Sequence, residues 1–400
     1  MTITRSSRAI AIISLGLCLT IGSFADEAAQ IVFALRLADN TPSVSSLLAA
    51  GLLGGITAGP IAPRLIRKVG PLNLISSLFV VQALMVLVAS TANQFAAYIA
   101  VAIALGCTGS LLWSAIMVAV PSFAKTDKQI DQANRVIQTV RNLGYVCGPA
   151  IGGLLYAKAN GSAGLLLIAA FVLFAAPVTF ACFKVLVQPL AETDQQDRKH
   201  KGLDIEGLYK TRGVLLAVAP LLVTVVLTSA LNVLLVIRVR HNLNLPPEAY
   251  GIIVSALSIG LIVGPLTLGA AIGKLGDAAG ASLAAGVIGL GILGLAFSLS
   301  ELLMIAMTFL IGVANGVQNA LMGSFMMKAV EKTRRFSQMP AYVLSLQTSV
   351  FIGFISAGFV RNEDTATALA AIGVITAIVG IVGLALNLNN RPSIASEGAR

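Results

Sequence analysis

Long apolar stretches separated by short polar segments fill most of the chain. No charged residue occurs between Lys68 and Lys125, which leaves room for two membrane-spanning helices of about 20 residues each. Other charge-free stretches cover residues 213–237, 302–327, 336–360 and 365–390. Apolar windows bounded by Gly, Pro or charge predict twelve helices. Their ranges are 8–36, 43–66, 72–92, 94–122, 129–157, 162–187, 213–240, 246–274, 280–299, 301–329, 337–360 and 365–389.

The composition agrees with a membrane location for these helices. Of 400 residues, 57% are hydrophobic and 11% are charged, against roughly 25% charged in soluble domains. The net charge of +10 does not indicate a nucleic-acid partner, because the basic residues fall in short loops rather than in one patch. The four cysteines have no metal-like spacing. The sequence therefore predicts an all-α polytopic membrane protein with the lipid bilayer as its surroundings and no metal site.

One long hydrophilic segment divides the chain. We expect an N-terminal six-helix bundle at residues 1–187, a cytoplasmic linker at 188–212 and a C-terminal six-helix bundle at 213–400. With the N-terminus cytoplasmic, 21 Lys and Arg residues lie on the cytoplasmic side and 5 on the other, with Arg141 inside a span. Positively charged loops favour the cytoplasm, so both termini are predicted there.

Small residues recur between the two halves with an offset of 205. The matched pairs are Gly55 with Gly260, Gly59 with Gly264, Pro60 with Pro265, Gly148 with Gly353 and Gly153 with Gly358. Repeated six-helix units are one way of building an alternating-access transporter. We therefore predict two six-helix pseudo-repeat bundles around a central cavity.

The segment SLGLCLTIGSFADEAAQ, residues 14–30, has two interpretations. It resembles a secretory signal peptide cleaved before Asp26, or it is the first span, with Asp26 and Glu27 in its interior. Cleavage would remove most of the first span, break the repeat and leave QIVFALRLADN, which is too short to cross a bilayer. The second interpretation is favoured, and in the parallel segment of the second half Asn232 lies near the position of Glu27.

A carboxylate at this depth costs on the order of 3 kcal/mol unless it is protonated, paired or in a wet cavity. Adjacent helical residues point about 100° apart, so at most one of Asp26 and Glu27 faces a cavity, and Gln30 extends either polar face. We favour Glu27 as the group that exchanges protons. Arg141 lies roughly 9 Å away along the helix axes. It either pairs with one of these acids to bias the transporter between states or has only a structural role.

The segment LGYVCGPAIGGLLY, residues 143–156, resembles the antiporter motif G-x-x-x-G-P-x-x-G-G of the major facilitator superfamily, particularly its twelve-span drug and metabolite exporters. Gly144, Gly148, Pro149, Gly152 and Gly153 match every fixed position. Small residues allow close helix approach and Pro weakens a helix. The alternative is an ordinary glycine packing seam.

The same superfamily has a gating-loop motif, G-x-L-x-D-R-x-G-R-R, after its second span. PRLIRKVGPLN, residues 63–73, keeps Arg64, Lys68 and Gly70 but has Arg67 where Asp is expected. The counterpart GKLGDAAG, residues 273–280, keeps Gly273 and Asp277. The resemblance implies a cytoplasmic latch.

The latch charge then lies on Asp277, while Arg67 could pair with Asp127 or Asp131. Alternatively, the basic residues of the first loop only enforce the topology. A second departure from the superfamily is that no basic residue occurs in span 4, where proton-coupled members carry an Arg.

Polar and aromatic side chains on the expected cavity-lining spans are candidates for substrate contact: Gln30, Trp113, Ser114, Tyr145, Asn232, Asn315, Gln318, Asn319 and Gln347. Each is alternatively an interhelical hydrogen bond, worth about 0.6 kcal/mol on average in membranes. Trp113, the one tryptophan of the sequence, is the favoured stacking surface.

The resemblance and the acids in the first span together predict a secondary active transporter. It would export a small amphiphilic compound, drug-like or metabolite, in exchange for protons by alternating access, as a monomer in a bacterial inner membrane. The alternative is a siderophore, sugar or organic-anion carrier without classical proton antiport. A sensor or assembly partner lacks the expected soluble domain. Neither a nucleotide-binding loop nor a metal-binding pattern occurs in the sequence, so we expect no enzyme, no cofactor and no use of ATP.

Overall fold

The structure, a computed structural model, describes residues 5–91, 94–123, 127–186, 204–210, 212–330 and 335–389. Throughout these ranges the chain forms helices joined by short turns, with no β-strand. The helices up to the linker are α1 (Arg5–Arg36), α2 (Thr41–Ala58), α3 (Ala62–Val69), α4 (Pro71–Thr91), α5 (Phe95–Phe123) and α6 (Asp127–Leu186).

The remaining helices begin with α7 (Ile205–Lys210), a short helix at the end of the linker. They continue with α8 (Arg212–Ile237), α9 (Pro247–Thr267), α10 (Gly269–Gly273), α11 (Asp277–Phe297), α12 (Glu301–Ala329), α13 (Arg335–Ala357) and α14 (Thr365–Asn389). A π-helical turn, Arg238–Asn242, follows α8, and a 3₁₀ turn, Asn362–Asp364, precedes α14.

Helix α6 contains two membrane-crossing segments. Its 60 residues would extend about 90 Å as a straight helix. However, a Cβ atom placed on Gly164 would lie 3.2 Å from the Leu155 Cβ, although nine residues would separate the two by about 13 Å along a straight axis. The chain therefore reverses near Gly161, between the predicted fifth and sixth spans.

The predicted architecture of twelve helices is consistent with these elements. Within the described residues, eight helices are long and apolar enough to cross a membrane, and Gly161–Pro177 and Ala341–Ala357 are shorter apolar segments. Helix α1 and the first part of α6 occupy the two remaining predicted positions. The protein is thus an all-α polytopic membrane protein, as predicted.

The chain forms two compact units. The first comprises Met1–Gln196 with Val239–Ser255, and the second comprises Asp197–Arg238 with Ala256–Arg400. The beginning of α9 thus belongs to the first unit, whereas the predicted domain boundaries placed it in the C-terminal bundle. In the first unit α1 packs mainly against α6, α2 against α5, and α4 against both α5 and α6. Phe33 and Phe79 are fully buried in its core.

Helices α2 and α5 cross at glycines. A Cβ on Gly54 would overlap the backbone of Ile103, and a Cβ on Gly106 would overlap the backbone of Gly51. Small residues let helix backbones approach closely in a membrane, where burial of apolar surface does not drive helices together. The glycines therefore fix where α2 meets α5.

The second unit repeats this crossing between α9 and α12. Gly260 lies against the backbone of Phe309, and Gly312 lies against the backbone of Leu257. Each of these four residues follows its counterpart in the first unit by 206 positions. The two units share one packing pattern.

Two turn glycines have the same spacing. Gly70 has φ 83° and Gly276 has φ 92°, both in the left-handed region that favours glycine, and they too are 206 residues apart. The predicted offset of 205, which paired Gly55 with Gly260, is therefore wrong by one residue. A glycine-rich segment allows several alignments of the two halves that differ by one residue, and only the helix–helix contacts distinguish these alignments.

The offset also fails between spans 5 and 11. Gly353 on α13 packs against Val226 and Ser229 of α8 as Gly144 on α6 packs against Thr20 and Ser23 of α1. Gly144, not Gly148, is therefore the counterpart of Gly353.

The α9–α12 crossing gives a test within one helix. We expect Gly312→Ala to lower the free energy of unfolding by about 1–3 kcal/mol through overpacking, because its Cβ would overlap the Leu257 backbone. Gly323→Ala, also on α12, meets nothing within 4 Å and should leave stability unchanged or raise it by up to about 1 kcal/mol. Thermal unfolding in detergent checks both, and equal effects would contradict the crossing.

Candidate functional site

Asp26 and Glu27 lie inside α1 as predicted, and they face different helices. The Gln82 Nε2 atom of α4 donates to Asp26 Oδ1 at 2.5 Å and to Gly22 O at 3.3 Å. A Cβ on Gly109 of α5 would lie 3.0 Å from Asp26 Oδ2. Asp26 therefore points into the first unit, towards α4 and α5, where an amide stabilises it.

Glu27 points towards α6. A Cβ on Gly148 would lie 2.6 Å from the Glu27 Cβ, so only glycine fits opposite this acid. The buried Tyr250, near the start of α9, lies within electrostatic range of the Glu27 carboxylate. The sequence left open which acid faces a neighbouring helix, and the structure directs Asp26 to α4 and α5 and Glu27 to α6 and α9.

Three glycines of the antiporter-like motif form the α6 side of this contact. A Cβ on Gly144 would lie 2.6 Å from Thr20 O, and one on Gly152 would lie 2.7 Å from Ala28 O. Together with Gly148 they occur every fourth residue and so share one helix face. That face covers α1 on both sides of the acids.

The rest of the motif contacts the beginning of α9. A Cβ on Gly153 would lie 3.1 Å from the Gly251 Cα, and Gly251 in turn lies against the backbone of Pro149. The Ser255 Oγ atom donates to Val146 O at 2.7 Å. The motif therefore contacts α1 on one face and α9 on another.

Arg141 lies in the helical part of α6, but its side chain falls outside the described residues. The pairing of Arg141 with an acid of α1 stays a prediction. The same holds for the suggested pairing of Arg67 with Asp127 or Asp131, because the side chains of both aspartates also fall outside that range.

Some of the predicted cavity residues bond within their own unit. Ser114 Oγ donates to Ser110 O on the same helix at 2.9 Å. Gln318 is buried, and its Nε2 donates to Ala281 O of α11 at 3.4 Å. Gln318 thus makes an interhelical hydrogen bond, whereas the bond of Ser114 lies within its own helix, and substrate contact by either residue stays a prediction.

The other predicted cavity residues remain accessible to different degrees. On α12, Asn319 Nδ2 donates to Asn315 Oδ1 at 2.9 Å, which confirms that the two share a face. Gln30 and Asn232 are exposed. Trp113, Tyr145 and Gln347 are half-buried.

The gating loops of the two units differ in their charged residues. Asp277 Oδ2 and Lys328 Nζ, at the end of α12, form an ion pair of 2.6 Å, with 16% of the Asp277 side chain and 72% of the Lys328 side chain exposed. Asp277 also lies in the first turn of α11, where a negative charge is favoured by the helix dipole. Gly273 packs near Leu321.

With the offset of 206, the position equivalent to Asp277 in the first unit is Pro71, and not Arg67 as the motif alignment predicted. Arg64, Arg67 and Lys68 are exposed on α3, and Gly70 forms the turn. The carboxylate is therefore present in the second loop and replaced in the first.

Sequence reasoning missed the role of two arginines at helix ends. Arg36, at the end of α1, donates from Nη1 to Ala89 O near the end of α4, at 3.3 Å. Arg238, after α8, donates from Nη2 to Ala296 O and Ser298 O at the end of α11, at 3.0 and 3.2 Å. A cation is favoured at a helix C-terminus, where carbonyls lack partners. Arg238 thus makes in the second unit the kind of contact that Arg36 makes in the first.

The linker helix α7 docks on α13 of the same unit. Asp204 Oδ1 accepts from Gly207 N at 2.9 Å and caps α7, while its Oδ2 accepts from Gln338 Nε2 at 2.9 Å. Tyr209 Oη donates to Ser345 Oγ at 2.8 Å.

The apolar helices define a polytopic membrane protein, with two acids and a glycine seam in its first unit. The chain belongs to the Major Facilitator Superfamily, whose family model matches residues 15–237, more than half of the sequence. No curated protein sequence matches it significantly.

Solved transporter structures share the fold. The nucleoside transporter NupG has 14% sequence identity and a TM-score of 0.72, with 93% of this chain and 98% of that chain covered. A variant of the peptide transporter POT has 16% identity and a TM-score of 0.74, with 94% of each chain covered. A bacterial homolog of the human lysosomal transporter Spinster has 11% identity and a TM-score of 0.71, with 96% and 97% covered. Such identities show the fold alone, and the superfamily identifies a transporter rather than an enzyme.

The Asp26–Gln82 contact gives a test. Gln82→Leu leaves a half-buried carboxylate without its amide donor, so we expect a loss of about 1–3 kcal/mol in the free energy of unfolding. Asp26→Asn in the Gln82→Leu background should recover part of this loss. Gln94→Leu, at an exposed position, is the matched control. Additive effects in a double-mutant cycle would show that the two side chains do not interact.

Proposed function

We propose that this protein is a secondary active transporter that exports a small amphiphilic compound in exchange for protons by alternating access. The observation that carries the proposal is the position of Glu27, whose Cβ lies against Gly148 of the antiporter-like motif, with Tyr250 of α9 within electrostatic range. A carboxyl group in this position changes charge when it gains or loses a proton. Because α6 and α9 contact each other beside it, that change can favour one helix arrangement over another.

The two acids have separate roles in this proposal. Asp26 is bonded by Gln82 within the bundle and stabilises the α1–α4 contact. Glu27 exchanges the proton. Arg141, one turn before Gly144 on α6, is the proposed cationic partner of the deprotonated acid.

The second unit supports this assignment. With the offset of 206, Asn232 is the counterpart of Asp26, and Asn315 is the counterpart of Gly109. An amide does not ionise, so these positions on α8 and α12 can bind substrate by hydrogen bonds but cannot carry a proton. We therefore assign proton coupling to the first unit.

Asp277 and Lys328 are the proposed cytoplasmic latch. The pair joins the start of α11 to the end of α12. An exposed ion pair contributes only about 0–1 kcal/mol to stability, so its effect should appear in transport more than in unfolding.

The comparisons leave the substrate class open. The similar structures include nucleoside and peptide transporters by their names. The second candidate is a carrier of siderophores, sugars or organic anions without classical proton antiport. It is favoured by the absence of a basic residue between Lys68 and Lys125. The proposed setting for either function is a bacterial inner membrane, with both termini cytoplasmic and the protein a monomer.

Proton exchange is tested in everted membrane vesicles energised to be acidic inside and monitored with a pH-sensitive dye. Lipophilic cations, neutral drugs and anionic metabolites are added in turn. We expect proton release with at least one compound, abolished in Glu27→Gln because the amide cannot carry a proton. Asp26→Asn should retain coupled release, and Asp39→Asn, an exposed acid after α1, is the matched control.

Release that survives in Glu27→Gln would remove this residue from the mechanism. Uptake of a labelled compound without proton movement would instead support the second candidate.

The latch is tested by charge reversal. Asp277→Lys and Lys328→Asp should each reduce initial transport rates by up to about fivefold, the effect of losing an ionic contact of at most about 1 kcal/mol. The double reversal restores opposite charges and should recover most of the rate. A double variant no faster than either single variant would show that the pair has no role in gating.

A further inference from the structure

A polar cavity of about 520 Å³ lies at the end of α1, apart from Asp26 and Glu27. Arg36, Tyr98, Tyr156, Gly161 and Ser162 are among the residues that line it. They come from the end of α1, the start of α5 and the reversal within α6, all in the first unit.

Arg36 brings a positive charge to this cavity without a carboxylate to balance it. Among the described residues, its hydrogen bonds all go to neutral oxygens: Nη1 donates to Ala89 O at 3.3 Å and to Tyr98 Oη at 2.7 Å, and Nη2 donates to Ser162 Oγ at 2.7 Å. Asp39, the nearest acid along the chain, is exposed beyond the end of α1. Among the described residues, the half-buried cation is therefore compensated by dipoles alone.

The remaining N–H groups of Arg36 lie on one edge. A guanidinium has five N–H donors in a planar fork, and three are used by the contacts above. Among the described residues, the donors without an acceptor are the Nε hydrogen and one Nη2 hydrogen, and Nε and Nη2 share one edge of the guanidinium. This edge is the one that binds a carboxylate or phosphate through two hydrogen bonds.

Gly161 faces this edge. A Cβ at this position would lie 2.7 Å from Arg36 Nε and 3.2 Å from Nη2. Any residue other than glycine would force the guanidinium to move. Gly161 thus lets Arg36 approach α6 closely and fixes where the guanidinium lies in the cavity.

The guanidinium is held in place before any ligand arrives. It lies 5.6 Å from the centroid of the Tyr98 ring, a cation–π distance, and Tyr98 is itself 6% exposed. Contacts to α4, α5 and α6 fix its plane, so little side-chain entropy is lost on binding. Lys158, exposed on the same part of α6, adds to the positive potential.

We propose that this cavity is a binding site for an oxyanion, a carboxylate or phosphate group that Arg36 holds through its Nε and Nη2 edge. The group belongs either to a dissolved compound or to the head group of an anionic lipid. The test of this site measures anion binding and not transport. Its outcome is therefore independent of whether transport is coupled to protons.

The test uses the full chain in nanodiscs of phosphatidylcholine, titrated with inorganic phosphate and with benzoate at constant ionic strength while thermal unfolding is recorded. We expect saturable stabilisation of the wild type. Arg36→Gln should weaken the apparent affinity about tenfold or more, the effect of losing a bidentate charged contact. Gly161→Ala keeps the charge but displaces the guanidinium, and should weaken the affinity similarly. Arg361→Gln, an exposed arginine paired with Glu363, is the control and should bind as the wild type does.

A second arm distinguishes the source of the anion. Nanodiscs are prepared with a minor fraction of phosphatidylglycerol, and lipid retained by the protein is measured by native mass spectrometry. Retention lost in Arg36→Gln and Gly161→Ala, with no response to phosphate or benzoate, assigns the site to a lipid head group. The reverse result assigns it to a dissolved anion.

The proposal is overturned if the wild type responds to neither source, or if Arg361→Gln loses the response as much as Gly161→Ala does. It is also overturned if folded Gly161→Ala binds the anions as the wild type does. The anions would then bind elsewhere, and Arg36 would serve only to cap α4. Should Arg36→Gln fail to fold, Gly161→Ala decides the outcome. If Gly161→Ala also fails to fold, Tyr156→Ala enlarges the cavity without touching the Arg36 donors, and an unchanged affinity for both anions would reject the site.

Discussion

The close approach of α1 and α6 is the contact on which the candidate site depends. In lipid, apolar surface gains little by moving from acyl chains to a neighbouring helix, so association rests on van der Waals contact between backbones. Gly144, Gly148 and Gly152 provide that contact on α6. Glu27 lies in the middle of this helix contact, where a Cβ added to Gly148 would lie 2.6 Å from the Glu27 Cβ. Any movement that separates α1 from α6 therefore changes the surroundings of the acid, and this links packing to the proposed coupling.

The second unit uses the same packing with different chemistry. Helix crossings and turn glycines recur after 206 residues, yet Asn232 replaces Asp26, and Asp277 stands where the first unit has Pro71. Backbone approach limits the choice at glycine positions because a side chain does not fit. Positions that face a cavity or a loop are free of that limit. The two halves can therefore diverge in charge while their helices cross in the same way.

The ends of the helices present a separate problem, because the last carbonyls of each helix have no intrahelical donors. Arg36 and Arg238 solve it in their respective units by donating to the ends of α4 and α11. Arg238 donates to carbonyls at the end of α11 and is buried. Arg36 also bonds Tyr98 and Ser162 and borders a cavity. The arginine that caps α4 is thus also the basis of the proposed anion site.

The sequence by itself determined the membrane class, the positions of the helices, the place of Asp26 and Glu27 inside the first one and the resemblance to the superfamily. These follow from hydropathy and from a motif whose residues are contiguous, so no distant contact is needed to see them. It did not determine the register of the repeat, the partner of Asp26, the direction of Glu27 or the function of Arg36. Gln82 is 56 residues from Asp26 and Ser162 is 126 from Arg36, and such pairs are set by how helices rotate and cross. Only the tertiary structure decides that, because a helix pattern fixes which residues share a face but not which neighbour the face meets.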